Sequence, residues 1–95
     1  MISVIAQAIL KDGKGSEFES IIARLVEQVK EHEPGTLTYR LVRSQTDPND
    51  YRFFELYSDR VAFESHSRSE HFRSAWKLMT PLMASAPKIE LFDTV

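Results

Sequence analysis

Residues 2–10 (ISVIAQAIL) are almost continuously apolar, and Gln7 is the one strongly polar side chain among β-branched and small residues. That pattern predicts a largely buried strand. Lys11-Asp12-Gly13-Lys14-Gly15 breaks it with charge and two glycines. The period then changes. Phe18, Ile21, Ile22, Leu25, Val26 and Val29 recur at i, i+3, i+4, i+7, i+8 and i+11, one apolar stripe along a helix. Ser16 and Glu19 have the spacing of a capping box at its start. Glu33-Pro34-Gly35 ends it, because proline disfavours helix in the residue before it and glycine permits the turn.

Alternation returns over residues 36–44 (TLTYRLVRS), where Leu37, Tyr39 and Leu41 share a face. Asp47-Pro48-Asn49-Asp50 is a strong turn, so the strand Tyr51–Tyr57 is expected to pair antiparallel with the one before it. Ser58-Asp59 offers an N-cap to a second helix beginning at Val61-Ala62-Phe63. Ser67-Arg68-Ser69 predicts a break before a further helix from Glu70 to Met79. Pro81 and Pro87 bracket a loop, and residues 88–93 (KIELFD) read as a last strand. The order βαββααβ is that of a ferredoxin-like α+β fold with an antiparallel sheet, its second crossover split into two short helices. One domain is expected over residues 1–95.

Helices cover one face of such a sheet. The third strand nevertheless carries Tyr51, Phe53, Glu55 and Tyr57 on one side and Phe54 and Leu56 on the other, and the first strand is apolar on both. A second copy of the chain is expected to cover the remaining face, giving a homodimer.

Composition narrows the function classes. The chain has 95 residues, 12 basic and 14 acidic, with charges interspersed and a net charge of −2. No basic stripe neutralises a phosphate backbone, so nucleic acid is not an expected partner. With no cysteine there is no disulfide framework, thiolate nucleophile or Cys-ligated metal. No apolar run approaches the ~20 residues of a membrane span, so no membrane partner is expected. The first residues, Met1-Ile2-Ser3-Val4, lack the features of a secretion signal, so a cytoplasmic location is expected.

Candidate chemistry is sparse. His66 and His71 are five apart, which on one continuous helix would not bring both rings to one face, and His32 is placed on the polar side of the first helix. No metal motif is therefore read. Nucleotide and phosphate fingerprints are absent as well. Glu55, inside Phe53-Phe54-Glu55-Leu56-Tyr57, is costly to bury alone. It either pairs with Arg40, Arg43 or a dimer mate, or turns inward to bind substrate or orient a histidine. His66 lies beside Phe63, Phe72 and Trp76, and its imidazole is either a proton acceptor for a phenol or enol or a satisfied structural histidine. His71 reads first as a cap of the preceding turn. Trp76, Met79 and Met83, at spacings of three and four, form either core or the wall of a pocket for a flat ligand. Gln7 either satisfies a neighbour or points into that pocket.

The chain resembles the antibiotic biosynthesis monooxygenase family over nearly its whole length. The resemblance is carried by the Lys-Asp-Gly-Lys turn, Glu33-Pro34-Gly35-Thr36-Leu37-Thr38-Tyr39, Phe53-Phe54-Glu55-Leu56-Tyr57-Ser58-Asp59, Ala62-Phe63-Glu64-Ser65-His66 and Ser69-Glu70-His71-Phe72. It implies a dimeric α/β barrel and a monooxygenase that oxidises a small phenolic, quinol or polyketide-type aromatic substrate with O₂ and no cofactor. His66 would be the base. Glu55 would orient it or bind a substrate hydroxyl, while Gln7, Tyr57, His71, Phe72, Trp76 and Met79 would contact the substrate. Haem-degrading relatives use an asparagine, a tryptophan and an axial histidine where this chain has Gln7, His66 and Trp76; tryptophan in place of the axial histidine disfavours haem. Two other readings stay open. One is an isomerase on a small oxygenated metabolite, whose phosphate would need an anchor such as Arg40, Arg43 or Arg73. The other is a small-molecule binding dimer without catalysis.

Overall fold

The computed structural model describes residues 1–95. Its elements are β1 (Ile2–Ile9), α1 (Gly15–His32), β2 (Thr36–Arg43), β3 (Asp50–Tyr57), α2 (Arg60–Arg68), α3 (Glu70–Met79), a 3-10 turn (Thr80–Leu82) and β4 (Lys88–Asp93). The strands form one antiparallel sheet in the order β2-β3-β1-β4. This is the expected ferredoxin-like α+β arrangement.

Strand alternation sorts the sheet into two faces. Val4, Ala6 and Ala8 of β1, Tyr39 of β2, and Tyr51, Phe53 and Tyr57 of β3 are all buried. Beneath them α1 supplies Phe18, Ile22, Leu25 and Val29, and α3 supplies Ala75 and Met79. Small alanines on β1 let the bulky aromatic residues of β3 meet the helices. Phe18 contacts both Tyr51 and Phe53, at centroid distances of 5.2 and 6.2 Å.

The opposite face carries no helix. Ile5 pairs across with Phe54, and Ser3 lies between Leu56 and Phe92. Phe54, Phe92 and Val42 on it are 45%, 42% and 39% exposed. An apolar sheet face is thus left open to solvent by the single chain.

The capping box expected at the start of α1 does not form. The helix begins at Gly15, its N-cap is Lys14, and no side chain caps it. Glu19 is drawn instead to the sheet, where it accepts a 2.5 Å hydrogen bond from the Tyr51 hydroxyl and faces Arg43 at 3.3 Å. A charge-assisted tertiary contact wins over a local cap.

Candidate functional site

Three helix ends converge under β2 and β3. Glu33 is the C-cap of α1, His66 lies in the last turn of α2, and His71 lies in the first turn of α3. Ser69 makes the last two neighbours. Its backbone is extended (φ −64°, ψ 149°), which ends α2, and its hydroxyl donates to the carbonyl of His66 at 2.7 Å and accepts from the amide of Phe72 at 3.2 Å. One serine thus closes one helix and caps the next. The resulting bend brings His66 and His71 onto a common carboxylate. On one continuous helix their spacing would turn the two rings to different faces, and the break at Ser69 removes that constraint.

That carboxylate is Glu33, which the sequence presents only as a helix terminator. Both of its oxygens lie 3.0 Å from His66 Nδ1, Oε1 accepts from the Thr36 hydroxyl at 2.6 Å, and Oε2 contacts His71 Nε2. The side chains of His66, Glu33 and His71 are 3%, 8% and 13% exposed. Burial by itself would raise the Glu33 pKa, but the hydrogen bonds from Thr36, His71 and His66 outweigh it and hold the carboxyl below its ordinary value. An ionised carboxylate only accepts, so both imidazole nitrogens facing it carry protons. Burial lowers the His66 pKa, and the Glu33 charge offsets this only in part. His66 is therefore neutral at pH 7, protonated on Nδ1, with its lone pair on Nε2. Nε2 is the one buried side-chain polar atom in the chain without a hydrogen-bond partner. Phe72, Tyr39 and Tyr57 pack around the ring at 4.8, 4.9 and 5.6 Å.

Glu33, His66 and His71 are also the chain's one grouping able to hold a metal, with one ligand atom from each lying within 4.8 Å of the others. A cation there would have to displace the protons that now bond both rings to Glu33.

His66 borders a cavity of about 490 Å³ between the helices and the sheet, a volume in the ordinary range for small-molecule sites. Eleven of its eighteen lining residues are hydrophobic, and Glu55 is the one carboxylate among them. Phe72, Trp76 and Met79 line it. Phe72 and Trp76 lie at 6.1 Å with planes 29° apart, forming one aromatic wall.

Glu55 pairs with neither Arg40 nor Arg43. It accepts a 2.5 Å hydrogen bond from the Tyr57 hydroxyl. Burial pushes its pKa up to about 7, the Tyr57 hydrogen bond offsets this in part, and the Glu33 charge adds to the rise. Tyr57 is pushed well above its ordinary value, by burial first and by Glu55 second.

Three expected substrate contacts are placed differently. Tyr57 is fully buried behind the cavity, where it holds Glu55 instead of lining the wall. His71 is likewise outside the wall and bound to Glu33. Gln7 borders the cavity, but its neighbours Ala6 and Ala8 face the helices, so its side chain lies on the open face and donates to Asp50 at 3.1 Å.

The antibiotic biosynthesis monooxygenase profile matches residues 1–78. The chain belongs to the antibiotic biosynthesis monooxygenase family. A Caulobacter crescentus protein assigned to this family is 39% identical, with 99% of this chain and 89% of that one superposing at a TM-score of 0.95. A second antibiotic biosynthesis monooxygenase structure is 32% identical over 100% of this chain and 99% of that one, with a TM-score of 0.91. A conserved Methanosarcina mazei protein shares the fold at 24% identity and a TM-score of 0.90, over 96% and 89% of the two chains. An uncharacterised Synechocystis protein is 25% identical over 83 residues, and the match spans 87% of this chain but 56% of that protein's length. Membership of the antibiotic biosynthesis monooxygenase family supports a general monooxygenase-like function.

Proposed function

We propose that this chain is a cofactor-independent monooxygenase of a small phenolic or quinol substrate, with His66 as its base. The observation that carries the reading is the unpartnered Nε2 of a neutral, Glu33-bound imidazole at an apolar cavity. A buried lone pair with no partner costs stability unless a ligand supplies the missing donor. A phenolic hydroxyl is such a donor.

In this reading the phenol gives its proton to Nε2. Glu33, already bonded to Nδ1, steadies the imidazolium that forms. The dry, aromatic wall leaves the phenolate electron-rich, so it transfers an electron to O₂, and the two radicals combine as a ring-carbon peroxide. His66 returns its proton to the peroxide. Loss of the ring C–H proton and cleavage of the O–O bond then release water and leave a quinone, so one oxygen atom of O₂ enters the product and the other enters water. Glu55, protonated in part near neutrality, can donate a hydrogen bond to a substrate oxygen.

A homodimer belongs to the same proposal. The exposed apolar face around Phe54, Phe92 and Val42 suits a second copy, as two-sided patterning in the strands already suggested.

The test is oxygen consumption by the metal-stripped protein across a panel of quinols and polyphenols, against His66→Gln. Uptake above autoxidation is expected from the wild type, reduced at least about a hundredfold in the variant, the scale of losing a general base. Full turnover by a folded His66→Gln protein removes His66 from the mechanism.

A further inference from the structure

The cavity wall holds two cations with no counter-ion. Arg73 and Lys77 lie one helical turn apart on α3, and both line the cavity. Neither takes part in an ion pair or side-chain hydrogen bond within the chain. The other arginines considered as anion anchors are placed elsewhere. Arg43 faces Glu19, and Arg40 pairs across the sheet with Phe54 on the face opposite the cavity.

Sequence spacing explains the arrangement. Phe72 and Trp76 turn the aromatic edge of α3 into the cavity, and the residue after each is a cation displaced ~100° around the helix. The wall is thus graded. His66 and Glu55 sit at its buried end, the stacked Phe72 and Trp76 flank it, and Arg73 and Lys77 stand exposed at its edge.

We infer that the preferred substrate is an aromatic acid, its flat ring against Phe72 and Trp76, its anionic group held by Arg73 and Lys77 at the mouth, and its hydroxyl directed inward to His66. This inference rests on the proposed function for the inner end. The outer end stands on the unpaired cations. The orientation follows from desolvation: a carboxylate stays at the rim, where water still reaches it, while a neutral phenol loses little on entering. Arginine can grip a carboxylate through two parallel N–H groups, and lysine adds a point charge beside it. The reverse orientation would bring the anion against Glu55, the only acid in the wall.

Calorimetric titration with a matched pair of probes tests this. 6-Hydroxy-2-naphthoate and its neutral amide share a shape and differ in charge at one end. The wild type is expected to bind the acid on the order of tenfold more tightly, with the difference shrinking at high salt. The double variant Arg73→Gln/Lys77→Gln is expected to bind the two probes equally. Equal binding by the wild type, or a preference for the acid that survives in the double variant, overturns the inference while leaving the cavity reading intact. Failure of both probes to bind overturns the cavity reading, and this inference with it.

Discussion

Both carboxylate oxygens of Glu33 lie 3.0 Å from Nδ1 of His66, so the imidazole is held at one nitrogen and free at the other. This is the geometry of an oriented base. It fixes the tautomer, restrains the ring, and places a negative charge where the imidazolium would need it.

Replacing Glu33 by Gln retains the shape and removes the charge. The Coulombic and hydrogen-bonding support that partly offsets burial at His66 is then lost, so the His66 pKa falls further below its ordinary value. Proton NMR titration of the ring C–H signals should show a midpoint at lower pH than in the wild type, and an unchanged midpoint would mean that Glu33 does not govern the imidazole. The variant should also lose about 2–4 kcal/mol of stability, since two imidazole donors and the Thr36 hydroxyl lose an ionised acceptor. Because the folded-state pKa of Glu33 is depressed, its contribution is fully present above the unfolded value near 4.5 and disappears as pH falls through the folded value.

Glu55 has the opposite linkage. Its pKa is raised to about 7 in the folded protein against 4.5 for the free side chain, so the folded state holds the extra proton between those values. Stability should therefore fall as pH rises through that window, by up to about 3 kcal/mol from this group. Thermal melts between pH 5 and pH 8 should show the decline in the wild type and a flatter curve in Glu55→Gln. Parallel curves for the two proteins would show that Glu55 is ordinary in its titration.

Gly35 ties the α1–β2 junction, and with it Glu33, to the start of α2. A Cβ at this position would come within 2.7 Å of the Ala62 Cβ and 3.2 Å of the Ser58 hydroxyl. Gly35→Ala should cost about 1–3 kcal/mol through this overlap. It should also lengthen the Glu33–His66 contact, visible as loss of the downfield Nδ1–H proton resonance. A variant as stable as the wild type with that resonance intact would show that the junction yields freely.

The open sheet face supplies a fourth expectation. Phe54, at its centre and 45% exposed, is opposite Ile5 of β1. If a second copy covers this face, Phe54→Asp places a charge in the interface and should shift sedimentation from dimer to monomer at micromolar concentration. A wild type that sediments as a monomer at that concentration would refute the homodimer.

The local pattern determined a great deal about this chain. Period-two and helical spacing placed every strand and helix to within a residue or two, and Ser67-Arg68-Ser69 marked the helix break at the position where Ser69 caps both sides. The two-sided apolar character of Tyr51–Tyr57 was legible for the same reason, because alternation in a strand is a purely local rule. For His66, Glu55, Phe72, Trp76 and Met79 the residue pattern left structural and site roles open, and only the family resemblance implied a common site; the structure places all five on one cavity.

What only the tertiary structure decided is which groups those side chains meet. Glu33 reads as punctuation because Pro34 and Gly35 explain a helix end without it, while its two histidine partners lie 33 and 38 residues away. Ser16 and Glu19 fit a capping box locally, yet Tyr51 and Arg43 offered Glu19 a better bond from another element. Tyr57 shares the Glu55 face, where the family resemblance implies a substrate contact, but helix packing buries it behind that carboxyl. Spacing fixes the direction of a side chain along its own helix or strand. Partners from distant segments, and the desolvation that tunes Glu33, Glu55 and His66, exist only once those segments pack together.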